Sequence, residues 1–75
     1  MGPVDAQEIQ LRDESIRLGQ LLQLAGIADT GSYAKAMLAD GVVLVNGEVE
    51  VRRGRQLRDG DLVEALGERV RVRAG

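Results

Sequence analysis

An α+β domain, two short helices packed on a small and mostly antiparallel sheet, is the fold class this sequence predicts. Three observations lead there. Apolar residues recur at helical spacing over 16–25 and again over 34–38, then alternate as strands do from Val42 onward. Asp40-Gly41, Asn46-Gly47, the run RDGD at 58–61 and Gly67-Glu68 mark chain reversals between those segments. Leu, Val and Ile supply 22 of the 75 residues, enough for one aliphatic core and too few for a second domain.

Taken in order, residues 1–7 read as a loose leader and 8–75 as the single domain. EIQL at 8–11 alternates polar and apolar and suits a short strand. Asp13 or Ser15 can cap a first helix whose apolar face is Ile16, Leu18, Leu21, Leu22 and Ala25, with Gly26 placed to end it. Asp29, Thr30 and Ser32 are each suitable N-caps for a second helix, which buries Ala34, Met37 and Leu38 and closes at Asp40-Gly41. The two read as a helix-turn-helix-like pair.

VVLV, Asn46-Gly47 and EVEV then form a hairpin. Two registers compete. A two-residue turn pairs Leu44 with Val49 and turns Leu44, Val49 and Val51 inward. A three-residue loop with a bulge pairs Val45 with Val49 and turns Val43, Val45, Val49 and Val51 inward. The second is expected, because it buries the longer valine row. RDGD is a turn, LVEAL a strand, Gly67-Glu68 a turn and RVRV the last strand.

Composition removes several classes of function. The chain has no cysteine and no histidine, so disulfides, thiolate metal sites and the commonest general base are missing. Asp59 and Asp61 flank Gly60 in a turn, with no nucleophile or base to complete a site. No catalytic residue, metal or cofactor is therefore expected. Tyr33 is the one aromatic residue, which argues against a platform of stacked bases. No apolar run is long enough to span a bilayer, and MGPVDAQEIQ lacks the basic and apolar regions of a signal peptide. A cytoplasmic protein is expected.

The net charge of −2 hides an asymmetry. Residues 1–14 hold Asp5, Glu8, Asp13 and Glu14 against Arg12, whereas VRRGRQLR at 51–58 holds four arginines and no acid. An acid-free arginine cluster is more than an edge strand needs for solubility, and reads as a basic patch. Lys35 lies near the start of the second helix, where a cation is disfavoured by about 0.3–1 kcal/mol. TGSYAK therefore offers backbone N–H groups, the Ser32 hydroxyl and a cation to an anion, although each also has an ordinary surface role. Arg69, Arg71 and Arg73 alternate with Val70 and Val72 as the solvent face of a strand should, and are read as mainly structural.

Four segments, IRLGQLLQLAGI, DTGSYAKAMLADG, VVLVNGEVEVRRGR and LRDGDLVE, together resemble the RNA-binding domain named after ribosomal protein S-four, the alpha-L motif. The resemblance spans 16–64, about two-thirds of the chain, and rests on the order and spacing of the segments. It is nearest to the short, stand-alone bacterial branch of the YbcJ type, in which NGEVE precedes a basic tripeptide. The resemblance implies RNA held along the second helix and the hairpin after it. Carried over by position, the contacts fall on Arg17 at the start of helix one and on Ser32 and Lys35 in helix two. Asn46 in the hairpin and Arg52, Arg53 and Arg55 beyond it complete the set. Two departures stand out: Gly19 replaces a common acidic residue, and Ser32-Tyr33 replaces the glycine and glutamate usual in the stand-alone branch.

The expected function is a non-catalytic, monomeric module that grips structured RNA by its phosphates, with ribosomal RNA, transfer RNA or a ribosomal particle as the partner. The alternative is a protein-interaction adaptor or ribosome-assembly factor whose arginines meet an acidic protein surface. A third class, a sulfur-carrier-type protein, would need a C-terminal diglycine where this chain has Ala74-Gly75.

Overall fold

The computed structural model describes residues 6–74. Seven strands and two helices alternate as β1 (Gln7–Gln10), β2 (Ser15–Arg17), α1 (Leu18–Leu24), α2 (Gly31–Ala39), β3 (Val43–Val45), β4 (Glu48–Val49), β5 (Gln56–Arg58), β6 (Leu62–Ala65) and β7 (Glu68–Arg73). A five-stranded sheet runs β1-β7-β6-β3-β4, and β2 pairs with β5 in a separate two-stranded sheet. All pairings are antiparallel except β1 on β7. The fold class is the one expected. Of the leader expected over 1–7, residues 1–5 lie outside the described residues, and Gln7 already belongs to β1. No helix among the described residues is long and apolar enough to cross a membrane.

Both helices end as their glycines suggest. Gly26 and Gly41 sit at positive φ, and in each case the residue after the glycine donates back to the helix: Ile27 N–H to Leu22 O and Val42 N–H to Met37 O. This left-handed C-terminal motif satisfies carbonyls that the helix leaves unpaired. Of the three candidate caps for α2, Thr30 acts: its hydroxyl accepts from Tyr33 N–H at 3.0 Å. Ser32 lies inside the first turn.

The start of the first helix differs from expectation. Ile16 is in strand β2, and α1 begins only at Leu18, with Arg17 at the capping position. The reason lies far along the chain. QLR at 56–58, which was not expected to be a strand, pairs with Ser15–Arg17 and buries Leu57 against Ile16. Three residues of helical periodicity are indistinguishable from three of strand until a partner strand is present.

The hairpin register also departs from the favoured reading. Leu44 pairs with Val49 and Val45 with Glu48, so the turn is the two-residue Asn46-Gly47, with φ of 52° and 86°. Yet Val43 and Val45, not Leu44, face the core. Strand β6 decides this, because Val43 and Val45 pair with buried Ala65 and Val63. Val49 and Val51 were expected inward and are instead 58% and 57% exposed. The position opposite Val43 is taken by Glu50, whose N–H donates to Val43 O.

The core lies between the helices and one face of the sheets. Leu18, Leu21 and Leu22 of α1 and Ala34, Met37 and Leu38 of α2 join Val43, Val45, Leu57, Val63, Val70 and Val72 there. On β7 the alternation reads as expected. Arg69 pairs with Glu64, Arg73 with Glu8, and Arg71 donates to Gly60 O, all on the outer face.

Candidate nucleic-acid interface

The arginines of 52–55 are on a loop, not on the strand expected for them. β4 stops at Val49, and the chain turns at Arg53-Gly54 before β5. Two main-chain bonds dock this loop on the start of α1: Leu18 N–H donates to Arg55 O at 2.8 Å and Gly19 N–H to Arg53 O at 3.0 Å. First-turn N–H groups have no partner within their own helix, so the loop supplies what α1 lacks. Gln20 Oε1 accepts from Arg17 N–H at 3.3 Å and closes the same junction.

Glu50 organises the loop from within. Its carboxylate is 7% exposed as a residue and accepts from the N–H groups of Val51 and Arg52, from Nε and Nη2 of Arg52, and from Nη1 of Arg55. The Arg52 guanidinium, then its backbone N–H, then Arg55 lower the Glu50 pKa from the ordinary 4.5 to about 2. The same bonds raise that of Arg52. A buried carboxylate with this many donors fixes the loop's path. It also neutralises part of the charge that the sequence places there.

Because its pKa is depressed, the folded Glu50 carboxyl binds a proton less readily than the unfolded one. Its contribution to stability is therefore complete above about 4.5 and is lost as the pH falls toward about 2. Acidification through that window should lower the unfolding temperature of the wild type more than that of Glu50→Gln, followed by circular dichroism. Parallel curves for the two proteins would show that Glu50 is not the group responsible.

The site residues separate into three groups. Arg17 and Arg53 both line a groove of about 310 Å³. Gly19, Gln20 and Gln23 of α1 form one side, Gly31 and Ala34 of α2 another, and Arg53-Gly54 the third. Arg53 crosses α1 at Gly19, where a Cβ would collide with its Cγ. That contact accounts for a glycine at this position. Ser32 is the neighbour of Gly31 and exposed, and Lys35 is exposed one helical turn beyond Gly31. Arg52 and Arg55 belong to the second group, bound to Glu50, with side chains 73% and 33% exposed.

Asn46 stands apart. Its Oδ1 accepts from Leu62 N–H at 2.9 Å and its Nδ2 donates to Asp61 at 3.0 Å, tying the hairpin turn to the start of β6. Asp61 also accepts from Arg58 N–H, so RDGD is a structural turn.

Sequence reasoning missed Gln20, Gln23 and Glu50. The glutamines resemble any solvent-facing helix residues. Glu50 carried a signal: an acid two residues before an arginine pair, opposite a valine destined for the core.

Comparison with known proteins agrees with this architecture. The family model described as the S4 domain matches residues 9–73. The chain is 47% identical over 62 residues to the "Probable ribosome maturation protein RlbA" of Bacillus subtilis, covering 83% of this chain and 87% of that one. It is 37% identical over 57 residues to the "Putative RNA-binding protein YbcJ" of Escherichia coli, covering 76% and 81%. The solution structure of YbcJ from E. coli, described as revealing an alpha-L motif involved in RNA-binding, superposes with a TM-score of 0.72 at 31% identity, covering 99% of this chain and 95% of that one. The 30S ribosomal protein S4e of Thermoplasma acidophilum gives 0.61 at 26% identity, covering 80% and 32%.

Proposed function

The chain belongs to the S4 domain family, and on that footing we propose that it is a non-catalytic RNA-binding module that grips structured RNA by its phosphates. The supporting observation is the convergence of Arg17, Arg53 and the first turn of α2 on one groove, with Lys35 one turn further on. Guanidinium groups present forked donors that match phosphate oxygens, and the backbone docking of the loop holds them in place before RNA arrives. Arg52 and Arg55 act beside them: Glu50 occupies part of each guanidinium, and the more exposed Arg52 keeps N–H groups for a second phosphate. In this reading Ser32 donates its hydroxyl at the helix start. Asn46 acts through the turn it holds.

Ribosomal RNA, free or within a ribosomal particle, is the partner proposed first, with transfer RNA second. The relatives support this choice: one is named for ribosome maturation and another for RNA binding. The protein acts as a cytoplasmic monomer.

The test is affinity against salt, with a fluorescent stem-loop of ribosomal RNA as probe. Neutralising three to five phosphates should give a slope of log affinity on log salt of roughly −2 to −4. A flat dependence would replace this reading with the protein-adaptor alternative.

A further inference from the structure

We propose that the groove between α1, the start of α2 and the arginine loop receives a single unpaired nucleotide, whose base is read by Gln20 and Gln23. This rests on the RNA-binding reading and goes beyond it, because phosphate contacts alone carry no sequence.

Size is the first argument. At about 310 Å³ the groove lies at the small end of the roughly 300–1,000 Å³ of small-molecule sites, enough for one nucleotide and not for a helix. The lining is the second. Gly31, half-buried in the first turn of α2, carries no side chain, and a Cβ there would meet only Gln23 Oε1, at 3.8 Å, so a flat ring can approach α2 at that point. The walls are the third. A groove serving phosphate alone would be lined by cations, yet two neutral amides stand beside Arg17 and Arg53. An amide carries both a donor and an acceptor, which suits a base edge. Gln20 has committed its Oε1 to Arg17 N–H, leaving its NH₂ as a donor. Gln23 Oε1 comes within 3.8 Å of where a Cβ on Gly31 would stand, so that amide spans the gap between the helices.

Tyr33, the one aromatic residue, is not among the residues lining the groove, so stacking falls to the guanidinium planes of Arg17 and Arg53. The stem of Arg53 is braced over Gly19, and Arg53 lines the groove. Unpaired nucleotides in bulges and loops are the part of structured RNA that can enter such a site, since paired bases hide their edges in the duplex.

The experiment compares two labelled stem-loop RNAs, identical except that one carries a single-nucleotide bulge in its stem. The readout is the ratio of the two affinities at fixed salt. Wild-type protein should bind the bulged RNA about tenfold more tightly, the lower end of what a good side-chain contact to a base edge contributes. Gln23→Ala, which removes an amide, and Gly31→Leu, which fills the groove from α2, should each bring the ratio close to one. Gln23 is exposed and the Gly31 backbone is an ordinary first helical turn, so circular dichroism should show both variants folded. An abasic residue at the bulge should lose the preference as well. If it keeps the preference, base reading by the glutamines is overturned. Equal binding of both RNAs by wild type, or an unchanged ratio in both variants, overturns the groove while leaving the RNA-binding reading standing. Absence of salt-dependent binding to either RNA overturns both.

Discussion

Arg53→Glu is expected to lose most of the affinity for structured RNA, on the order of 2–3 kcal/mol or roughly 30- to 150-fold. The substitution replaces a forked cation with an anion in the groove that Arg17 also lines. Folding should survive it, because the loop is held by the Arg53 carbonyl and by Glu50, neither of which involves the Arg53 guanidinium. Arg52→Glu is a less clean probe. It would set a second carboxylate beside Glu50 and remove the donors that keep Glu50 ionised. Lys35→Glu should weaken binding in the same direction as Arg53→Glu, by reversing charge one turn into α2. Arg71→Glu should do less, since Arg71 lies on the outer face of the sheet, bonded to Gly60 O. A binding titration at fixed salt, with circular dichroism as the folding control, measures all of these. Greater damage from Arg71→Glu in well-folded protein would move the interface to the other side of the domain.

Leu22→Ala is expected to cost about 2–5 kcal/mol of stability. Leu22 is 0% exposed, in the middle of the core that α1 shares with α2 and the sheet. A chain of this length draws only about 3–5 kcal/mol from a single core, so the variant should be largely unfolded or close to it. Leu24, two residues along the same helix, is 59% exposed. Leu24→Ala should stay within about 0.5 kcal/mol of wild type, being a surface substitution. Urea unfolding of the three proteins checks the contrast. A loss of under about 1 kcal/mol for Leu22→Ala, or similar losses for both variants, would contradict the helix face assigned here.

Much of the fold was legible because its signals are local. Glycines at 26 and 41 ended helices by adopting a backbone conformation that other residues resist. Asn46-Gly47 reversed the chain for the same reason, and β7 showed its two faces through strict alternation of arginine and valine. The position of the basic cluster was equally plain, since four arginines without an acid need no neighbour to be noticed. What the linear pattern misjudged was the state of those charges. Arg52 and Arg55 are bound to Glu50, and the loop that carries them is shaped by a carboxylate that reads in sequence as one more solvent-facing residue of EVEV.

The class of fold, the ends of both helices, the aliphatic makeup of the core and the place of the positive charge can all be read along the chain. Each follows from residues close together in the chain. Long-range packing makes Ser15–Arg17 a strand, turns Val43 and Val45 of β3 inward, and brings Arg17 and Arg53 to one groove with Gln20 and Gln23. Those outcomes depend on pairings between residues from 18 apart (Val45 with Val63) to 43 apart (Ser15 with Arg58). A strand's face is chosen by the strand beside it, and a helix start by whatever accepts its unpaired N–H groups. Here β6 and the arginine loop make those choices, and no local pattern contains them.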